Sequence, residues 1–147
     1  MIFIHLLLGM ILGQIFGNSF FFILGSVFPD IDHIYIIIKN KLFSWKKIRQ
    51  TIKYEKDFGL RYKTPFVHSL LGLIIFSLVV YLFNSDGILY FSIAYFLHLL
   101  IDWADIDEKY YLYPLKIKFR GFLLIWSKPE QTLTIILMLL IIIMIIK

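Results

Sequence analysis

Cysteine is absent from the 147 residues. That excludes disulfides, thiolate metal ligands and a cysteine nucleophile, and leaves nitrogen and oxygen as the only strong metal donors. Charge is scarce: Asp, Glu, Lys and Arg make up 17% of the chain, against 60% hydrophobic residues. This apolar share lies far above that of ordinary soluble domains, and the mean hydropathy is +0.82. The stretch from Ile2 to Gly17 lacks both a basic leader and an A-x-A cleavage pattern, so it is expected to be a retained first helix rather than a cleaved signal peptide. With so little polar surface available, the expected fold is all-α: a single unit over residues 1–147, an integral membrane bundle of four to five apolar helices solvated by lipid.

Five apolar segments carry that expectation: Ile2 to Phe16, Ser19 to Phe28 with an extension towards Ile38, Phe66 to Phe83, Ile88 to Ala104, and Thr132 to Ile146. The first two meet at Gly17-Asn18-Ser19, and they read either as a short hairpin or as a first helix followed by a span kinked at Pro29. Asn84-Ser85-Asp86-Gly87 is a polar turn that makes its flanking segments antiparallel neighbours. Ser127-Lys128-Pro129-Glu130 has the form of a capping box at the start of the last helix. Gly9, Gly13 and Gly17 recur every four residues and predict close helix packing.

The net charge of +5 does not read as a nucleic-acid footprint, because its distribution is that of a membrane protein. Nine Lys or Arg lie from Lys39 to Lys63 and five from Lys109 to Lys128, so fourteen of the fifteen fall in two loops, while the opposite turns hold none. The positive-inside rule puts both loops in the cytoplasm, where anionic lipid head groups are the nearest partner. The protein is therefore expected in the cell membrane as a multi-pass chain with no nucleic-acid partner. In the first loop Leu42, Trp45, Ile48 and Ile52 recur at helical spacing, with Lys46, Lys47, Arg49 and Lys53 between them, as in a helix on a membrane surface or a solvated connector. In the second, Lys116, Lys118 and Arg120 alternate with Ile117 and Phe119, as in extended chain or a short strand.

The polar exceptions are few. A carboxylate at the centre of a spanning helix costs about 2.5–3.5 kcal/mol on insertion scales, so such groups usually have a partner or a function. Here His5, the group Asp30, Asp32 and His33, then His68, and finally His98 with Asp102 all fall at segment ends that return to one membrane face. His98 and Asp102 are an i, i+4 pair on one helical face, which suits a shared ion or a mutual hydrogen bond. Asp30 and Asp32 repel unless something positive lies between them, although Asp30 could instead cap the helix that follows. Imidazole mixed with carboxylate favours a borderline dication. Ser69 beside His68 is no nucleophile and base pair, because adjacent helical residues diverge by about 100°.

His5, Pro29-Asp30-Ile31-Asp32-His33, His68-Ser69-Leu70-Leu71, His98-Leu99-Leu100-Ile101-Asp102 and Tyr113-Pro114-Leu115, in that order, resemble a family of small bacterial and archaeal inner-membrane proteins described as membrane-bound metal-dependent hydrolases, the LexA-regulated ones among them. The likeness covers roughly the first 115 residues. The chain departs from the pattern in having Lys63 and Thr64 where such proteins carry His-Arg, and Trp103 to Glu108 where they carry Thr-Pro and Gly. His-x-x-x-Asp also resembles, more loosely, the zinc ligands of the helical phospholipase C and nuclease class. The resemblance implies a metal-dependent hydrolase, and a membrane site at the cytoplasmic face beside basic loops that attract anions suits phosphoester or lipid-linked substrates. Its expected metal ligands are His5, Asp30, Asp32, His68, His98 and Asp102, zinc is the first choice of ion and manganese the second, and Asp32 and Asp102 are the catalytic carboxylates. A transporter, a non-enzymatic ion-binding protein and a lipid-binding adaptor are the rival readings.

Overall fold

The computed structural model describes residues 1–44, 46–48, 63–124 and 127–146. The secondary structure assigned within them is helical, apart from two isolated bridges. Helix α1 spans Ile2–Phe16 and ends at Gly17, whose φ of 75° is the left-handed cap that a residue without Cβ adopts freely. Helix α2, Ser19–Val27, folds back along α1. At Gly9 a Cβ would overlap Ser26 Oγ and the Phe22 carbonyl, so the absence of a side chain there lets the two helices approach as the four-residue glycine spacing predicts.

After α2 the chain tightens into a 3-10 turn, Phe28–Asp30, and continues as α3, Ile31–Lys39. Pro29 sits at the start of that turn, where its missing N–H costs little. Ser19–Lys39 is thus a kinked apolar run of 21 residues rather than one arm of a short hairpin. Leu42 beyond it is buried. Trp45, Arg49, Ile52 and Lys53 of the expected surface helix lie outside the described residues.

Helix α4 is Leu70–Phe83 and α5 is Ile88–Trp103. The start of α4 differs from the sequence expectation of Phe66: Thr64 to His68 form turns, and Ser69 caps the helix by accepting the Gly72 N–H at 3.1 Å. Between α4 and α5, Asn84 Oδ1 accepts the Gly87 N–H at 2.8 Å, closing the polar turn and making the two helices packed antiparallel neighbours. Helix α6, Lys128–Ile146, lies parallel to α1: Glu130 meets the Met1 amine at 3.4 Å near one end, and Gln14 Nε2 donates to the Met144 carbonyl at the other. The expected capping box is not formed, because Ser127 Oγ has no hydrogen-bond partner and Glu130 turns to α1 instead.

Two helices are long and apolar enough to cross a membrane, Ser19–Lys39 and Lys128–Ile146. The other three apolar helices have 14 to 16 residues, or about 21–24 Å at 1.5 Å per residue, shorter than a hydrocarbon core of about 30 Å. The second loop is extended chain as expected, but it forms only isolated bridges, Lys109 to Phe119 and Asp105 to Leu123. A hydrophobic core of Phe91, Tyr95 and Leu99 on α5 packs against Phe28, which follows α2 just before Pro29, and Phe76 of α4.

Candidate metal centre

The centre is organised around α5. His98 and Asp102 project from one face and are 1% exposed, while Leu100 and Trp103 on the opposite face are more than half exposed. The i, i+4 spacing gives this division directly. His98 Nδ1 donates to the Ser26 carbonyl of α2 at 2.7 Å. A carbonyl only accepts, so in the neutral ring the proton sits on Nδ1 and the Nε2 lone pair faces the interior. His5 of α1 stacks on His98 with ring centroids 3.7 Å apart, and its Nε2 lies 3.2 Å from Asp102 Oδ1.

The turn at Pro29 brings the acidic pair to the same place. Asp30 stands at the N-cap position of α3 but makes no capping hydrogen bond. Its Oδ1 lies 3.7 Å from His33 Nδ1 and 3.9 Å from His98 Nε2, and its Oδ2 is buried without a partner. Asp32 is differently engaged. Its Oδ1 is 2.8 Å from His33 Nδ1, while its Oδ2 accepts the Thr64 N–H at 2.7 Å and lies 3.2 Å from His68 Nδ1. His68, 1% exposed, turns its Nε2 towards Asp102 Oδ2 at 3.5 Å, the distance at which His98 Nε2 approaches the same oxygen.

Lys63 contributes an ammonium, 3.0 Å from Asp102 Oδ2 and 2.7 Å from Asp105 Oδ2. Burial opposes its charge, but Asp102, Asp105 and Asp107 outweigh that penalty and hold its pKa above the ordinary lysine value. The loop that follows α5 closes around this ion pair. Lys109 is buried and donates Nζ to the Asp105 carbonyl; burial, with Lys63 nearby, pushes its pKa down to about 8. Burial and the neighbouring Asp105 push Asp107 up to about 6.

Three overlapping sets of side chains each bring three donor atoms within 4.8 Å of one another: His5, Asp30 and His98; Asp30, His33 and His68; and His68, His98 and Asp102. Separations of 3.5–3.9 Å between imidazole nitrogen and carboxylate oxygen are too long for hydrogen bonds. They are close to the spacing of about 3.4 Å between two ligands held tetrahedrally by one ion at about 2.1 Å. His5 Nδ1, both nitrogens of His68, His98 Nε2 and Asp30 Oδ2 are all buried without a hydrogen bond, whereas Asp102 Oδ2 has the Lys63 ammonium at 3.0 Å. Each such group carries a desolvation cost of about 1–3 kcal/mol unless something satisfies it. Among the described residues, Lys63 is the one ammonium paired with Asp30, Asp32, Asp102 or Asp105. A nitrogen- and oxygen-liganded dication fits this donor set and this charge.

All six residues singled out in the sequence meet here. Five belong to the three sets, and Asp32 stands behind His33 and His68. Sequence reasoning passed over His33 as a ligand, although its i, i+3 relation to Asp30 puts both on one side of α3. It also passed over Lys63 as an ion-pair partner. The spacing gives no signal for that lysine, because the contact with Asp105 closes across 42 residues.

Apolar helices around a buried imidazole and carboxylate cluster define an α-helical membrane protein with a polar centre enclosed by its own helices. The chain belongs to the YdjM inner membrane protein family, whose profile matches residues 1–147. No curated protein and no solved structure matches it.

Proposed function

We propose that this inner-membrane protein is a metal-dependent hydrolase acting on phosphoester or lipid-linked substrates at the cytoplasmic face. The observation that carries the proposal is the convergence of unpartnered, buried His68 Nε2, His98 Nε2 and Asp30 Oδ2 beside the Asp102 carboxylate. His5, Asp30, His68, His98 and Asp102, with His33 at the margin, offer the donors from which the ion draws its ligands, zinc before manganese. A dication bound there supplies Lewis acidity and brings the pKa of water towards neutrality. Asp32 orients His68 through Nδ1, as carboxylates behind ligating imidazoles do. Its other oxygen meets His33, whose side chain is 26% exposed, so a proton taken at Asp32 leaves through His33 to solvent. Four to five helices lie in the bilayer, with the two basic loops in the cytoplasm, where they attract anionic head groups and anionic substrates.

The cluster of Phe91, Tyr95 and Leu99 with Phe28 and Phe76 beside the centre favours catalysis over transport, because a translocation path is lined by polar groups. The test is turnover of a panel of phosphoesters in detergent with added zinc or manganese. Hydrolysis that falls at least 100-fold in Asp102→Ala supports the assignment. Turnover unchanged in that variant removes it.

A further inference from the structure

Asp102 Oδ2 is approached from three sides: by His68 Nε2 and His98 Nε2, each at 3.5 Å, and by Lys63 Nζ at 3.0 Å. Lys63 also holds Asp105 Oδ2 at 2.7 Å, and its side chain is 7% exposed. An ion bound by His68, His98 and Asp102 would therefore share its carboxylate oxygen with an ammonium already in place, and two like charges would stand side by side in a buried site. The other two donor sets both contain Asp30, and no ion pair links Lys63 to Asp30 or to any carboxylate on that side among the described residues. Among the described residues the polar centre thus has two lobes that share the histidines between them, one around Asp30 with no ammonium paired to it and one at Asp102 and Asp105 carrying the Lys63 cation.

We propose that Lys63 is a tethered cation in the place of a second metal ion, so that the centre takes one dication, on the Asp30 side. This rests on the metal-centre reading above and assigns its stoichiometry. An ammonium is a compact point charge with three donors. It neutralises Asp102 and Asp105 as an ion would, but it supplies no open coordination position. Removing it leaves Asp102 and Asp105 without their cation, with His68 Nε2 3.5 Å from Asp102 Oδ2, a group of one imidazole and two carboxylates that suits a second borderline ion while His5, Asp30 and His98 keep the first.

The experiment is zinc content per chain of the purified full-length protein in detergent, read by elemental analysis after equilibration with zinc and by calorimetric titration. The wild type is expected to hold one ion, Lys63→Leu two, and Lys63→Arg one, because the charge is restored. If Lys63→Leu fails to fold with two unpaired carboxylates, Lys63→Leu/Asp105→Asn removes the ammonium and one carboxylate together and is expected to hold two. Two ions in the wild type, or one in the folded charge-removed variant, overturns the role of Lys63 while leaving the metal centre standing. No ion in any form overturns the metal centre and this proposal with it.

Discussion

His98 donates Nδ1 to a backbone carbonyl and keeps its other nitrogen for the interior, and Asp32 Oδ2 stands 3.2 Å behind His68 Nδ1 as an ion-pair neighbour rather than a hydrogen-bond partner. Such supporting contacts fix ring orientation, and their loss typically costs about 10–100-fold in metal affinity. Asp32→Asn is therefore expected to keep the bundle folded and to weaken zinc binding by about that factor, as measured by competition with a chromogenic chelator. An affinity within threefold of wild type would mean that Asp32 orients nothing. Asp30 shows why a residue can be ambiguous in sequence and clear in structure. An aspartate after a proline and before a helix has the form of an N-cap, yet its side chain turns away from the helix backbone towards His33 and His98. The choice depends on imidazoles brought from other segments, which local spacing does not reveal.

At the scale of the elements, α2 is held to α5 by Gly25, where a Cβ would collide with the Phe91 backbone carbonyl. Backbone cannot swing aside as a flexible side chain can, so Gly25→Ala is expected to push the helices apart, destabilise the protein by about 1–3 kcal/mol and displace the Ser26 carbonyl from His98. Denaturant unfolding together with zinc affinity checks this, and an unchanged midpoint with unchanged affinity would contradict it. The loop after α5 has a pH signature of its own. Lys109, lowered by burial to about 8, binds fewer protons folded than unfolded between pH 8 and its ordinary 10.5, so stability rises with pH through that window. Asp107, raised by burial to about 6, binds more protons folded than unfolded between 3.8 and 6, so its contribution falls as pH rises there. Between about pH 6 and 8 both buried groups are charged and the loop is least favoured. Thermal unfolding in detergent should show the wild type gaining from pH 7 to 9.5 and Lys109→Met losing that gain; equal gains would exclude Lys109 as the source. Helix limits were legible where caps and breaks are local, as for α1 between Ile2 and Gly17. The start of α4 was not, because Phe66 and Val67 continue the apolar run while Pro65 and the Ser69 cap delay the helix to Leu70.

For the whole molecule, alternation of helix direction is what the sequence made readable: polar groups at the ends of successive segments return to one face, and the structure gathers them within ion-binding distance. The proposed cytoplasmic side of the basic loops is testable because the chain has no cysteine of its own. An impermeant thiol reagent applied to intact cells is expected to label Ser85→Cys at the turn and to reach Lys47→Cys only after permeabilisation; the reverse pattern would invert the topology. The outer surface was legible in character but not in detail. Helix α6 has one buried residue, Ile141, and exposes Ile135, Leu139 and Ile143, as a lipid-facing helix does, whereas its parallel seat on α1 comes from Glu130 and Gln14, which carry no pattern of their own. The most direct test of the buried centre is X-ray absorption at the zinc edge of the full-length protein. A first shell of nitrogen and oxygen at about 2.0–2.1 Å with an imidazole signature, lost in His98→Ala, is the predicted spectrum. Folded wild-type protein that takes up no zinc, or zinc whose spectrum is unaltered in His98→Ala, would contradict it.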